Sequence, residues 1–189
     1  LLGGPWIVAV VAVATALAGR EVFALLTGAG YPSLAWLGTV LAVALVLDAA
    51  VVPALDPSGV LLVTVGAVLA AVGAFTRSDP RDGLPTWMAT VFGALYASLL
   101  AFVLRLGHEA PAVPASAPLA ALGAERGWIL LLVLAVWAYD TGAYAIGKRF
   151  GTRRFLSHIS PSKTYAGLIG GIVAATVVVG LVLAALGQA

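Results

Sequence analysis

Asp140 is a carboxylate set inside an apolar run, and about seven residues beyond it the chain turns basic. The stretch 137–171 holds five of the ten Lys/Arg residues: Lys148, Arg149, Arg153, Arg154 and Lys163. It also contains Ser160-Pro161-Ser162-Lys163-Thr164, which opens a second apolar run. An acid at membrane depth, a basic loop and a helix start aimed at that loop are the parts of a site for a phosphorylated ligand. Asp140 would lie about 10 Å below the membrane surface at the helical rise of about 1.5 Å per residue. A charge at that depth costs at least about 2.5 kcal/mol and persists when a cation, a metal or water compensates it. Asp140, Ala143, Tyr144 and Gly147 follow i, i+3, i+4, i+7 spacing and so share one helix face. That face is either the wall of a polar cavity or a place where Asp140 pairs with an arginine of a neighbouring helix.

The Ser-Pro-Ser-Lys-Thr segment reads as a helix N-terminus, with Ser160 as N-cap and Pro161 at the first helical position. Lys163 then falls in the first turn, where a cation opposes the helix dipole. A bound anion would resolve that conflict, with free backbone N–H groups and the Ser162 and Thr164 hydroxyls as further donors. The plain alternative is a cap with a snorkelling lysine. Lys148 and Arg149 follow Asp140 closely enough to share its site. Arg153 and Arg154 are read as topology signals facing anionic headgroups.

The elements that must position these residues are membrane helices. Of 189 residues, 62% are hydrophobic and only 10% are charged, with mean hydropathy +1.09 and net charge +2. A soluble domain carries about 25% charged residues. About six runs reach the length a bilayer span needs: 5–26, 34–52, 59–75, 85–106, 127–147 and 162–186. The predicted fold is therefore all-α, a polytopic transmembrane helix bundle. Strands alternating over short segments, as a barrel needs, are missing from the pattern. Gly167 and Gly171 form a GxxxG face, which would press the last helix against the one carrying Asp140. The stretch 108–126 carries Pro111, Pro114 and Pro118 and reads as an extended linker. Basic residues mark the cytoplasmic side. The loop with Arg77 and Arg81 falls on the same side as the basic loop, and the acidic loop with Asp48 and Asp56 on the other. Glu21 either joins the polar cavity or sits at the interface. No cysteine is present, and His108 and His158 stand outside any metal-ligand spacing. The first residue is Leu without a basic segment before it, so the chain is expected to be a piece of a longer one.

The run DTGAYAIGKRFGTRRFLSHISPSKTYAGLIGG resembles the core of the phosphatidate cytidylyltransferase (CDP-diacylglycerol synthase) family. There an Asp-x-x-Ala-Tyr segment leads through a basic, glycine-containing loop to Ser-Pro-x-Lys-Thr and a Gly-Gly pair. The matching positions are Asp140, Ala143, Tyr144, Gly147, Ser160, Pro161, Lys163, Thr164, Gly167, Gly170 and Gly171. The stretch with Glu21 is similar to the family's early glutamate segment. The family's later Lys-Asp, His-Gly-Gly and Asp-Arg-x-Asp runs do not occur in these residues.

The resemblance implies transfer of CMP from CTP to phosphatidate, giving CDP-diacylglycerol and pyrophosphate, with Mg²⁺ as cofactor. It implies that Asp140 and Lys163 are catalytic and that Asp140 binds the metal. Lys148, Arg149, Ser160, Ser162 and Thr164 would bind substrate. The implied partners are CTP, phosphatidate and membrane lipid, with no nucleic acid; a homodimer is left open. The implied location is the bacterial cytoplasmic membrane, with the site facing the cytoplasm. Residues 1–189 would form one integral membrane domain of a longer enzyme, with 137–171 as its site-bearing helix-loop-helix. The competing readings are a polyprenol kinase, an archaeal-lipid cytidylyltransferase, and a transporter in which Asp140 and Glu21 relay ions. The clustering of polar residues at one side disfavours the transporter.

Overall fold

The computed structural model describes residues 4–51, 57–76, 79–154, 160 and 162–188. Asp56, Arg77, His158 and Pro161 lie outside the described residues. The described chain is all-α: α1 (Gly4–Gly28), α2 (Ala35–Val51), α3 (Pro57–Phe75), α4 (Gly83–Ser98), α5 (Ala101–Glu109), α6 (Gly123–Phe150) and α7 (Tyr165–Ala185). The protein is a polytopic membrane helix bundle. Five helical segments are long and apolar enough to cross a bilayer, with α4 and α5 counted together over Gly83–Gly107. The apolar α2 has 17 residues, about 25 Å at the helical rise, slightly short of a hydrocarbon core of about 30 Å. Large apolar side chains stay exposed on all of these helices, among them Leu25, Trp36, Val60, Phe92, Trp137 and Val177. A helix apolar on every side needs lipid, not water, around it.

The predicted fourth span is not one uninterrupted helix. Ser98 Oγ donates to the Leu95 carbonyl at 2.8 Å. The amides of Leu99, Phe102 and Val103 donate to carbonyls three residues back. A side-chain hydroxyl competing for a carbonyl tightens the ladder locally and separates α4 from α5.

The chain forms two compact units, Leu1–Arg105 and Leu106–Ala189. In the first, α2 and α4 each pack against α1 and α3 and against each other. Phe23 of α1, 1% exposed, is its largest enclosed side chain. A Cβ at Gly38 or Gly93 would strike the Phe23 ring, so these glycines make the slot that the ring fills. Thr90 Oγ accepts from the Leu34 amide at 2.8 Å and donates to the Thr86 carbonyl at 2.7 Å, tying the start of α2 to α4. Trp87 Nε1 donates to the Ala67 carbonyl at 2.9 Å, tying α4 to α3.

In the second unit α6 and α7 pack along almost their whole common length. A Cβ at Gly142 would lie 2.7 Å from the Gly170 carbonyl oxygen, and one at Gly167 would lie 2.8 Å from that of Ala143. The glycines therefore bring backbone onto backbone, as the GxxxG reading expected. The proline-containing stretch is not an extended linker. Leu119 N donates to the Ala185 carbonyl at 3.0 Å, Trp128 Nε1 to that of Pro111 at 3.0 Å, and Gln188 Nε2 to that of Ala112 at 2.9 Å. These bonds fold it over the start of α6 and the end of α7. Prolines lack N–H groups, but their carbonyls remain free to accept.

Candidate functional site

A cleft of about 550 Å³ opens between α6 and the segment leading into α7. Its α6 wall carries Asp140, Ala143, Tyr144 and Gly147, the four residues predicted to share a face, together with Lys148. Its other wall carries Ser162, Lys163 and Thr164, followed by Gly167 of α7. Five of the seven predicted site residues thus line one cavity. Arg149 and Ser160 do not line it. The Arg149 guanidinium lies 5.6 Å from the centre of the Phe150 ring. The Ser160 carbonyl accepts from the Lys163 amide at 3.3 Å.

Lys148 and Arg149 belong to the last turn of α6 rather than to a loop. Cations are favourable there, at the negative end of the helix dipole. Asp140 is exposed to the cleft, and its carboxylate forms no ion pair or hydrogen bond with another described residue. The alternative in which an arginine neutralises it thus finds no partner among the described residues. The Lys163 side chain is likewise unpartnered among them.

The predicted helix start is corrected. The N-cap of α7 is Thr164, with φ −122° and ψ 153°, and not Ser160. Lys163 therefore precedes the helix and does not sit in its first turn. The cause is a backbone pairing that the linear pattern does not display. Arg154 and Thr164 form an antiparallel bridge, and the Tyr165 amide donates to the Arg153 carbonyl at 3.1 Å. Residues 162–164 are held beside the returning basic segment and cannot wind into α7.

The same pairing changes the electrostatics expected at this helix end. Of the first three amides of α7, Tyr165 N–H is bound to Arg153, and Gly167 N–H donates to Thr164 Oγ at 3.2 Å. Only the Ala166 amide lacks a partner among the described residues. Anion binding by a row of free helix amides is therefore not the main resource here. The lysines and hydroxyls remain as the candidate groups. Thr164 accepts from Gly167 and keeps its own hydroxyl proton to donate.

A larger groove, about 790 Å³, opens on the other face of the α6–α7 pair. Thr141, Ile146, Phe150, Ile169 and Val173 are among its lining residues, and it bears no charged side chain. It offers a phosphate the Thr141 hydroxyl and no cation, so the smaller cleft is the candidate site.

The model of the cytidylyltransferase family matches residues 1–189, the whole chain. The chain belongs to the cytidylyltransferase family. Among curated members, the phosphatidate cytidylyltransferase of Haemophilus influenzae is 43% identical over 49 residues, which are 26% of this chain and 17% of that protein. The phosphatidate cytidylyltransferase of Bacillus subtilis is 44% identical over 50 residues, 26% of this chain and 19% of that protein. That of Pseudomonas aeruginosa is 40% identical over 47 residues, 25% and 17% respectively. The matched stretch is thus less than a fifth of each of these relatives. No solved structure matches the chain.

Two tyrosines that line the cleft were not assigned as site residues from the sequence. Tyr139 lies against α7, where a Cβ at Gly171 would meet its ring at 2.9 Å. Tyr144 was placed on the right face without a role. Its signal was the i, i+4 spacing to Lys148, the spacing at which helix side chains meet.

Proposed function

We propose that the chain is part of a phosphatidate cytidylyltransferase, which transfers CMP from CTP to phosphatidate and releases pyrophosphate. The observation that carries this reading is the cleft that an unpaired carboxylate, Asp140, lines together with Lys148 on one wall and Lys163 and the Ser162 and Thr164 hydroxyls on the other. Family membership narrows the ligand from a generic phosphate to CTP. The names of the curated relatives narrow the acceptor to phosphatidate.

The chemistry asks for little base catalysis, because the attacking group is already an anionic phosphate. An oxygen of phosphatidate attacks the α-phosphorus of CTP, and the bond from that phosphorus to the pyrophosphate oxygen breaks. The obstacle is the mutual repulsion of two polyanions. Lys148 from α6 and Lys163 from the opposite wall offset it, and the two hydroxyls fix phosphate oxygens. Arg149 and Ser160 have no contact with the reacting phosphates in this mechanism.

Mg²⁺ is held in such sites by one or two carboxylates, with water and substrate phosphates completing six oxygens. Asp140 supplies one carboxylate, and no cluster of three His, Cys, Asp or Glu side chains occurs among the described residues. That donor set fits an ion shared between Asp140 and the ligand phosphates, and does not fit one caged by protein alone. Bound there, Mg²⁺ would neutralise phosphate charge and polarise the α-phosphorus.

The five cations of 148–163 support a location of the cleft at the cytoplasmic edge of a bacterial inner membrane under the positive-inside rule. Acyl chains stay in the bilayer while the headgroup meets CTP at that edge.

The test is incorporation of labelled CTP into a chloroform-soluble product by the full-length protein with phosphatidate and Mg²⁺. Asp140→Asn is expected to lower kcat by about 100-fold or more, and Lys163→Ala by about 10- to 100-fold. Absence of transfer by the unsubstituted protein would sink the reading. Full rates in both variants would remove the site assignment and leave family membership intact.

A further inference from the structure

Asp140, Tyr144 and Lys148 lie on one face of α6 at successive steps of four residues. Each step rises about 6 Å, so Lys148 and Asp140 are about 12 Å apart along the axis, too far for a direct ion pair. Tyr144 occupies the turn between them. Lys148 Nζ donates to the Tyr144 hydroxyl at 3.3 Å and lies 5.5 Å from the centre of its ring. All three residues line the cleft.

A lysine carries about 2 kcal/mol of rotamer entropy, and an unheld ammonium at a membrane edge swings into water. The phenol gives Lys148 a partner that does not neutralise it. A carboxylate in that place would cancel the charge that a ligand phosphate needs. The phenol oxygen holds the ammonium by a hydrogen bond and leaves its full charge and two of its donors for a ligand. The ring is 68% exposed, so core packing does not explain it.

We infer that Tyr144 is a positioning residue, which holds the Lys148 ammonium over the α6 wall of the cleft to meet the phosphates of the bound nucleotide. This rests on the function proposed above in naming the nucleotide, but the contact itself is testable without it.

The first experiment follows acylation of the Lys148 amine by an amine-reactive ester in the full-length protein, read by peptide mass spectrometry. Held by Tyr144, Lys148 reacts slowly. Tyr144→Phe, which keeps the ring and removes the hydroxyl, and Tyr144→Leu are each expected to raise its rate about twofold to fivefold, on the scale of one lost hydrogen bond. An unchanged rate in Tyr144→Leu overturns the inference, whatever the enzyme does.

The second experiment splits KM from kcat for CTP. Tyr144→Phe is expected to raise KM for CTP by about threefold to tenfold, with kcat within about twofold. In a Lys148→Ala background the same substitution is expected to add nothing, because Tyr144 acts through the lysine. Equal losses in both backgrounds overturn the inference and mark Tyr144 as an aromatic anchor at the membrane interface. A protein that transfers no CMP at all defeats the proposed function and leaves the labelling rates to decide this point.

Discussion

Several polar groups of the two compact units are used in opposite ways. In the unit of α1 to α4, Thr90 both accepts from Leu34 and donates to Thr86, and Trp87 donates to Ala67. Those groups join helix to helix, in surroundings where an unmatched polar group is costly. In the α6–α7 unit, Asp140 and Lys163 line an open cleft and bond to no other described side chain. Lys148 has only a neutral phenol. Charges left unpaired are available to a ligand, while hydroxyls that both donate and accept within the fold are not. The packing differs in the same sense. The first unit wraps a phenylalanine in glycine slots from two other helices, whereas α6 and α7 use their glycines to bring backbones together beneath the cleft.

This contrast can be broken by substitution. The largest effect on stability is expected from Phe23→Ala. Emptying that slot removes most of the contacts of a ring that is 1% exposed and should cost about 3–5 kcal/mol. The variant is expected to unfold at lower denaturant or temperature while its folded fraction keeps the wild-type KM for CTP. A raised KM with unchanged stability would erase the division between a scaffold unit and a site unit. Asp140→Asn should behave in the reverse manner.

Next in size is Gly167→Ala. The added methyl must push against the Ala143 carbonyl, 2.8 Å away, and overpacking of that kind costs about 1–3 kcal/mol. Because the strain lies under the cleft, both stability and transfer rate are expected to fall together, as measured by thermal unfolding and the CTP assay. An active, fully stable variant would show that the close α6–α7 approach does not position the site.

The smallest effect is expected at the α7 cap. Thr164→Val keeps the shape of the side chain and loses the acceptor for Gly167 N–H, a change worth about 1 kcal/mol. Thr164→Ser should restore both stability and activity. A valine variant with unaltered stability but reduced activity would sharpen the comparison, since it would assign the hydroxyl to the ligand rather than to the cap.

Much of this organisation was legible in the residues. Long apolar runs have few outcomes other than membrane helices, because backbone polar groups in lipid must be satisfied within the segment. The spacing of Asp140, Ala143, Tyr144 and Gly147 placed them on one face because helical period alone decides that. The motif spacing also identified Lys148, Ser162, Lys163 and Thr164 as neighbours of that face. What stayed hidden depended on partners distant in sequence. The α7 start moved from Ser160 to Thr164 because Arg154 pairs with Thr164 across the returning chain. Capping preferences are local and cannot register such a bridge. The proline-containing stretch looked unattached because its anchors are backbone carbonyls and an amide, groups that carry no residue-type signal.

The sequence by itself determined that this protein is helical and membrane-embedded, with an acid, lysines and hydroxyls grouped around one connection. Period, hydropathy and residue chemistry are properties of short segments, so short segments reveal them. The tertiary structure alone decided which of those groups meet. It turned Arg149 toward Phe150 and away from the cleft, occupied two of the first three amides of α7, and left Asp140 and Lys163 facing the same opening. Those outcomes follow from how closely two glycine-lined backbones approach and from a bridge between residues ten positions apart.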